Sequence, residues 1–295
     1  MICTLCPRAC GIDRKSSLGF CRQSDEIRAA RAAPHFWEEP CLSGKNGSGT
    51  VFFCGCTLRC VYCQNAAISG GESHGKTVTP RGLADIFLRM EREGLHNVNL
   101  VTPTMFAPQI SRALTMARAD GLTLPVVYNT SGYERTDALS AIAPQIDIYL
   151  PDFKYLSPEI AEKYSGAADY PDHAKASLAM MVRHIGEAKF DGDGMMKKGV
   201  IVRHLLLPGQ LRESMRVLDY LYGEYENAIF YSLMSQYTPM PGIGARYPEL
   251  ARRVTTYEYE KLIDHALSLG IKNGFMQDGR SAKESFIPAF NGEGV

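Results

Sequence analysis

The run Cys56-Thr-Leu-Arg-Cys60-Val-Tyr-Cys63 places three thiols at C-x3-C-x2-C spacing. Three thiolates this close can hold three corners of a cuboidal [4Fe-4S] cluster, leaving the fourth iron without a protein ligand. An open metal position is where a substrate or cofactor binds, as it is in catalytic zinc sites. Tetrahedral zinc is the competing use of three cysteines. The spacing is not a usual zinc spacing, and the first histidine downstream is His74. Cys56, Cys60 and Cys63 are therefore expected to be both metal-ligating and catalytic. A second set, Cys3, Cys6, Cys10 and Cys21, lies among Pro7, Gly11 and Gly19. It could bind zinc that folds a segment with no core of its own, or it could hold an auxiliary Fe-S cluster. Both uses stay open. Cys41 and Cys54 read as small buried hydrophobes.

The composition narrows the class. The chain has 295 residues, with Lys plus Arg at 32 and Asp plus Glu at 32, so its formal charge is zero. That excludes a polybasic nucleic-acid binder and an acidic disordered chain. No apolar run approaches the roughly 18 residues of a spanning helix. The first residues lack a basic stretch followed by an apolar one. The expectation is a cytoplasmic protein with neither nucleic acid nor membrane as partner. All nine cysteines lie between Cys3 and Cys63. Such clustering suits metal ligation better than a disulfide scaffold.

Two regions are expected, a cysteine-rich extension over 1–47 and an α/β domain over 48–295. Within the first, residues 29–47 read as a connector. In the second, near-continuous apolar runs suggest strands at 50–54, 97–102, 124–129, 146–151, 200–207, 228–234 and 272–276. Helical periodicity marks 80–93, 107–119, 172–186 and 255–269, the first opened by Thr79-Pro80. This alternation predicts a parallel sheet with right-handed crossovers, a (β/α)6-type partial barrel. In such folds the loops after the strands build the active site.

The cysteine run, with Tyr62 before its last cysteine, resembles the radical S-adenosylmethionine superfamily. Asn129-Thr-Ser-Gly-Tyr133, Asp152-Phe-Lys154, and Val202-Arg-His204 with Leu207-Pro-Gly209 resemble segments of the pyruvate formate-lyase activating enzyme. Cys3-x2-Cys6-Pro-Arg8, Glu38-Glu-Pro40, Gly47-Ser-Gly-Thr50, Cys63-Gln-Asn65, Val101-Thr-Pro-Thr104, Asp147 to Tyr155 and Ser235-Gln-Tyr237 are similar to the PflX-like group. The resemblance implies a reduced cluster that cleaves S-adenosylmethionine to methionine and a 5′-deoxyadenosyl radical, which abstracts a substrate hydrogen. It implies cofactor-binding roles for Tyr62, beside adenine, and for Asn129, Ser131, Asp152, Lys154 and Arg203. The family's G-G-E after the second strand is replaced by Val101-Thr-Pro-Thr104. There the Thr102 and Thr104 hydroxyls, or backbone carbonyls, would receive the amino group. The acidic residue that opens the third-strand turn is Asn129 here. Ser69-Gly-Gly-Glu72 reads as a surface turn.

Other residues carry two readings. Asp152 and Lys154 could be a plain surface ion pair, but their place after a strand favours the site. Arg203 and His204 point to opposite faces of a strand, so at most one faces the interior. Gln236 and Tyr237 are expected to line a substrate pocket, with Gln277 a further candidate. Trp37 is expected to anchor the extension on the barrel. By analogy the partner is a glycyl radical enzyme, with flavodoxin or ferredoxin as reductant. The alternatives are a radical enzyme for a small molecule or peptide, and a metal-binding or redox scaffold without turnover.

Overall fold

The computed structural model describes residues 2–70, 75–276 and 288–295. In chain order the first elements are β1 (Ile27–His35), α1 (Pro40–Ser43), β2 (Ser48–Phe53), α2 (Ala66–Ser69) and β3 (Lys76–Val78). Next come α3 (Pro80–Arg92), β4 (Val98–Val101), α4 (Ala107–Ala119), β5 (Val126–Thr130), α5 (Thr136–Ile142) and β6 (Ile148–Pro151). Then follow α6 (Pro158–Ser165), α7 (Tyr170–Ile185), β7 (Lys189–Phe190) and β8 (Met196–Leu205). α8 (Leu211–Tyr225), β9 (Phe230–Met234), α9 (Thr256–Leu269) and β10 (Gly274–Met276) complete the order.

The expected apolar runs become β2, β4, β5, β6, β8, β9 and β10, all parallel to their neighbours in that order. The sheet is open, a partial barrel. The central strands β4, β5 and β6 are buried on both faces because helices cover one and the barrel interior the other, whereas β10 at the edge is largely exposed. Tyr128, Tyr149, Val200 and Val202 enter the main core under the helices. Val127, Ile148, Leu150 and Ile201 point to the inner face. α3 starts where Thr79-Pro80 predicts, with the Thr79 hydroxyl accepting from Gly82 N at 3.0 Å.

The segment 29–47 is not a connector. β1 pairs antiparallel with β2 and with β3, at the far edge of the sheet from β10. Its buried residues are largely alanines (Ala29, Ala30, Ala32, Ala33), so the β-branched signal that marks a strand is missing. α1 then turns inside the barrel. Pro40 occupies its first turn, and Cys41 and Leu42 pack on Val127, Ile148, Leu150 and Ile201. Asn97 Nδ2 donates to Leu42 O at 2.8 Å and holds this plug in place. Among the described residues, no helix is long and apolar enough to cross a membrane.

Candidate active site

The three cysteines lie on the loop that leaves β2. The loop turns sharply because Gly55 and Arg59 both take left-handed backbone conformations, φ +85° and +56°. At Gly55 a Cβ would come within 2.5 Å of Cys21 O and the Gln23 side chain, so glycine lets the N-terminal segment close onto the loop. The Arg59 turn brings two backbone N–H groups, from Leu58 and Arg59, to Cys56 Sγ at 3.4 and 3.5 Å. Ser165 Oγ donates to Cys60 Sγ at 3.0 Å, and Ser69 Oγ donates to Cys63 Sγ at 3.6 Å. Every sulfur thus has its own donor, as thiolate ligands of a cluster require. Burial, reinforced by the neighbouring Cys63 and Cys60, pushes the Cys56 thiol up to about 12. Positive metal charge is what would make such a buried thiol a thiolate.

Among the described residues, no three His, Cys, Asp or Glu side chains converge closely enough to share one metal ion. Cys10 and Cys21 also come together: their sulfurs lie 3.5 and 3.6 Å from the Cβ position of Gly19. With Cys3 and Cys6 they form one electrostatically coupled neighbourhood, without a closed zinc tetrahedron.

Cys56, Cys60 and Cys63 open onto a cavity of about 810 Å³ at the C-terminal ends of the parallel strands. Tyr62, Thr102, Asn129, Ser131, Asp152, Lys154 and Arg203 line the same cavity. Thr102 directly follows β4 at φ +58°, a costly conformation for a β-branched residue and a form of strain that clusters at functional sites. Lys154 Nζ pairs with Asp152 at 2.6 Å, both largely shielded from solvent.

Thr104 departs from expectation. It does not line the cavity but is buried, and its hydroxyl donates to Glu134 Oε1 at 2.6 Å. Pro103 starts a turn of 3-10 helix there and carries Thr104 away from the strand ends. Tyr237 also turns away: it is buried, donates to Leu250 O at 2.6 Å and meets Tyr62 edge-on at 6.4 Å. Gln236 does line the cavity, and its carbonyl accepts from Gln64 Nε2 at 2.9 Å, which ties the cysteine loop to β9. His204 points to the opposite, helix-covered face of β8, with Nδ1 2.7 Å from Phe153 O. Trp37 is not an anchor; it is more than half exposed and lines the cavity. Ser69 is no surface-turn residue, since it reaches Cys63, whereas Gly71, Glu72, His74 and Gln277 lie outside the described residues.

Sequence reasoning placed Arg203 at the site but missed the carboxylates that pair with it on the cavity floor. Arg203 donates twice to Glu39, from Nε at 2.8 Å and Nη2 at 2.7 Å, and again from Nη2 to Glu38. Asn99 Nδ2 donates to the other Glu38 oxygen at 2.9 Å. Burial opposes the Glu39 charge, but Arg203 outweighs it and holds the carboxyl below the ordinary range. Two adjacent glutamates before a helix-starting proline were the only local signal. Their partner is more than 160 residues away.

Glu134 supplies a pH test. Burial pushes its carboxyl up to about 7 from 4.5, against the pull of the Thr104 and Thr130 hydroxyls. The folded state thus holds a proton that the unfolded chain has released between these values. This contribution is complete below 4.5 and is lost as pH rises through 7. Glu134→Gln is therefore expected to remove a decline in stability of about 3 kcal/mol between about pH 5 and about pH 8. Denaturant unfolding at both pH values checks this. An equally steep decline in the variant would assign the proton elsewhere.

Comparison with known proteins agrees with this geometry. The family model of the radical SAM superfamily matches residues 50–221. An uncharacterized protein of Methanocaldococcus jannaschii, MJ0674, is 29% identical over 271 residues, covering 90% of this chain and 74% of its own. Methylornithine synthase (PylB) superposes with a TM-score of 0.51 at 13% identity, covering 72% of this chain and 58% of the other. Streptococcus suis SuiB gives 0.51 at 12% identity, covering 76% and 47%. The chain thus spans about half the length of these solved structures, and at such identity they show the fold alone. With the family model covering over half of its length, from β2 into α8, the chain belongs to the radical SAM superfamily.

Proposed function

We propose that this chain binds S-adenosylmethionine between the Cys56–Cys63 loop and the ends of β4, β5, β6 and β8, and works on a polar small molecule or peptide seated in the same cavity. One observation carries this reading: the three thiols and the strand-end polar side chains line a single cavity whose floor is the Glu38–Arg203–Glu39 cluster. When bound, a [4Fe-4S] cluster supplies the electron that cleaves S-adenosylmethionine to methionine and the 5′-deoxyadenosyl radical that abstracts a substrate hydrogen. The chain's own residues bind and orient. Tyr62 offers an aromatic wall, Asn129 and Ser131 offer hydrogen bonds, and the Asp152–Lys154 pair offers both charges. A charged floor matches a substrate with its own polar or charged group. A glycine residue of a protein chain offers its peptide N–H and C=O but no charge.

The second reading is activation of a glycyl radical enzyme, as in the PflX-like and activating-enzyme resemblance. Its support is the motif likeness at 129–133, 152–154 and 202–209. Asn129, Ser131, Asp152, Lys154 and Arg203 are also the proposed cofactor residues, so that likeness bears on cofactor grip more than on substrate. In both readings flavodoxin or ferredoxin would serve as reductant.

The test is anaerobic reconstitution, metal analysis, then reductant and S-adenosylmethionine. The expected result is about four irons per chain at the loop site and 5′-deoxyadenosine in the product. Zinc alone, with no 5′-deoxyadenosine, would leave only a metal-binding scaffold. Additional zinc, or iron near twice that value, would assign the metal of the proposed second site at Cys3, Cys6, Cys10 and Cys21. A glycyl radical signal on an added glycyl radical enzyme would select the second reading.

A further inference from the structure

The end of α6 is stapled to the cysteine loop. Val61 N donates to Tyr164 O at 2.9 Å. The Arg8 guanidinium bridges the two segments, donating to Thr57 O at 3.0 Å, to Ser165 O at 3.0 Å and to Gly166 O at 2.5 Å. Ser165 O ends the last turn of α6 and Gly166 O lies just beyond it, where helix carbonyls lack intrahelical donors, so Arg8 satisfies them and fixes the spacing of helix and loop. Gly166 takes the left-handed conformation, φ +56°, that ends the helix there. The result is a buried Ser165 hydroxyl 3.0 Å from Cys60 Sγ.

A chain of hydroxyls extends behind it. Tyr155 Oη lies 3.0 Å from Ser165 Oγ, and Tyr62 Oη lies 2.5 Å from Tyr155 Oη. Cys60 as a ligand thiolate has only lone pairs to offer, so the Ser165 proton must point at the sulfur. Ser165 then accepts from Tyr155, and Tyr155 accepts from Tyr62. Aligned in one direction, such bonds polarise and strengthen one another.

We propose that Ser165 is a positioning residue that raises the reduction potential of the cluster through its hydrogen bond to Cys60, with Tyr155 and Tyr62 orienting its hydroxyl. The proposal rests on the cluster reading above. A hydrogen bond to a ligand sulfur stabilises the reduced, more negative form over the oxidised one, and such bonds are among the determinants of cluster potential. Neither Cys56 nor Cys63 has an equivalent chain among the described residues; backbone N–H groups serve one and the lone Ser69 hydroxyl the other.

The experiment is a redox titration of the reconstituted protein, followed by electron paramagnetic resonance without S-adenosylmethionine. Ser165→Ala is expected to keep its iron and to be about tenfold harder to reduce, a downward shift of about 59 mV for a one-electron couple. Tyr155→Phe keeps the serine hydroxyl and is expected to shift the potential the same way by less. Ser165→Thr is expected to restore it. An unchanged potential in iron-loaded Ser165→Ala would overturn the proposal. If that variant loses its iron, Tyr155→Phe decides, and an unchanged potential there overturns it. Wild-type protein that takes up no iron would instead refute the cluster reading itself.

Discussion

Cys60→Ala is expected to bring the iron content from about four per chain to near zero and to abolish 5′-deoxyadenosine formation. The thiol is one of three on a short loop, and among the described residues no other cysteine lines the cavity. A cuboidal cluster held by two thiolates has two uncovered irons. The loop would also lose the Ser165 contact that ties it to α6. Cys54 is the control. It lies one residue beyond β2, fully buried, and packs with Ala30, Phe52, Ile68 and Val101. Cys54→Ala is expected to keep iron and product, with a small loss of stability from one missing sulfur. Iron and 5′-deoxyadenosine unchanged in Cys60→Ala, or lost equally in both variants, would sink the assignment of the loop.

The largest expected effect on stability is at Arg203. Arg203→Leu leaves two carboxylates, each about 95% buried, without their cation. Removing one partner of a buried ionic cluster costs about 3–5 kcal/mol, because the remaining charge stays out of water. The triple change Arg203→Leu, Glu38→Gln, Glu39→Gln removes the stranded charges and is expected to recover most of this. Guanidinium unfolding of the three proteins measures the difference. A loss below about 1 kcal/mol in Arg203→Leu would show that the floor is hydrated and its charges are not coupled. Iron loading depends on the β2 loop and is expected to persist in both variants. Substrate binding is not, since the floor is rebuilt.

Much of the fold was legible because parallel strands buried on both faces leave near-continuous apolar runs. Val126 to Thr130 and Ile148 to Pro151 are such runs, and the 3.6-residue spacing of Leu83, Ile86, Phe87 and Met90 marked α3 as plainly. β1 was not legible. Its alanines bury as well as valines but carry no strand preference, although it pairs with the very next strand in the chain. α1 was hidden for a related reason. Four residues make no periodicity, and Leu42 is apolar because the barrel interior surrounds it.

The site divides in the same way. Residue type and spacing alone determined that three thiols share a loop after a strand and that polar residues follow the strands of a parallel sheet. These are local facts, set by strand direction and by the turn each strand must make. Only the tertiary structure decided which polar groups face the cavity. Thr102 and Thr104 differ by two positions, yet a 3-10 turn sends the second to Glu134. Ser165 reaches Cys60 across 105 residues, and Arg203 reaches Glu39 across 164. Such pairs depend on strand order and helix docking, which periodicity does not encode. A sequence pattern reports whether a residue is buried and on which side of its own element. The partner it meets there is chosen by the packing of elements distant in the chain.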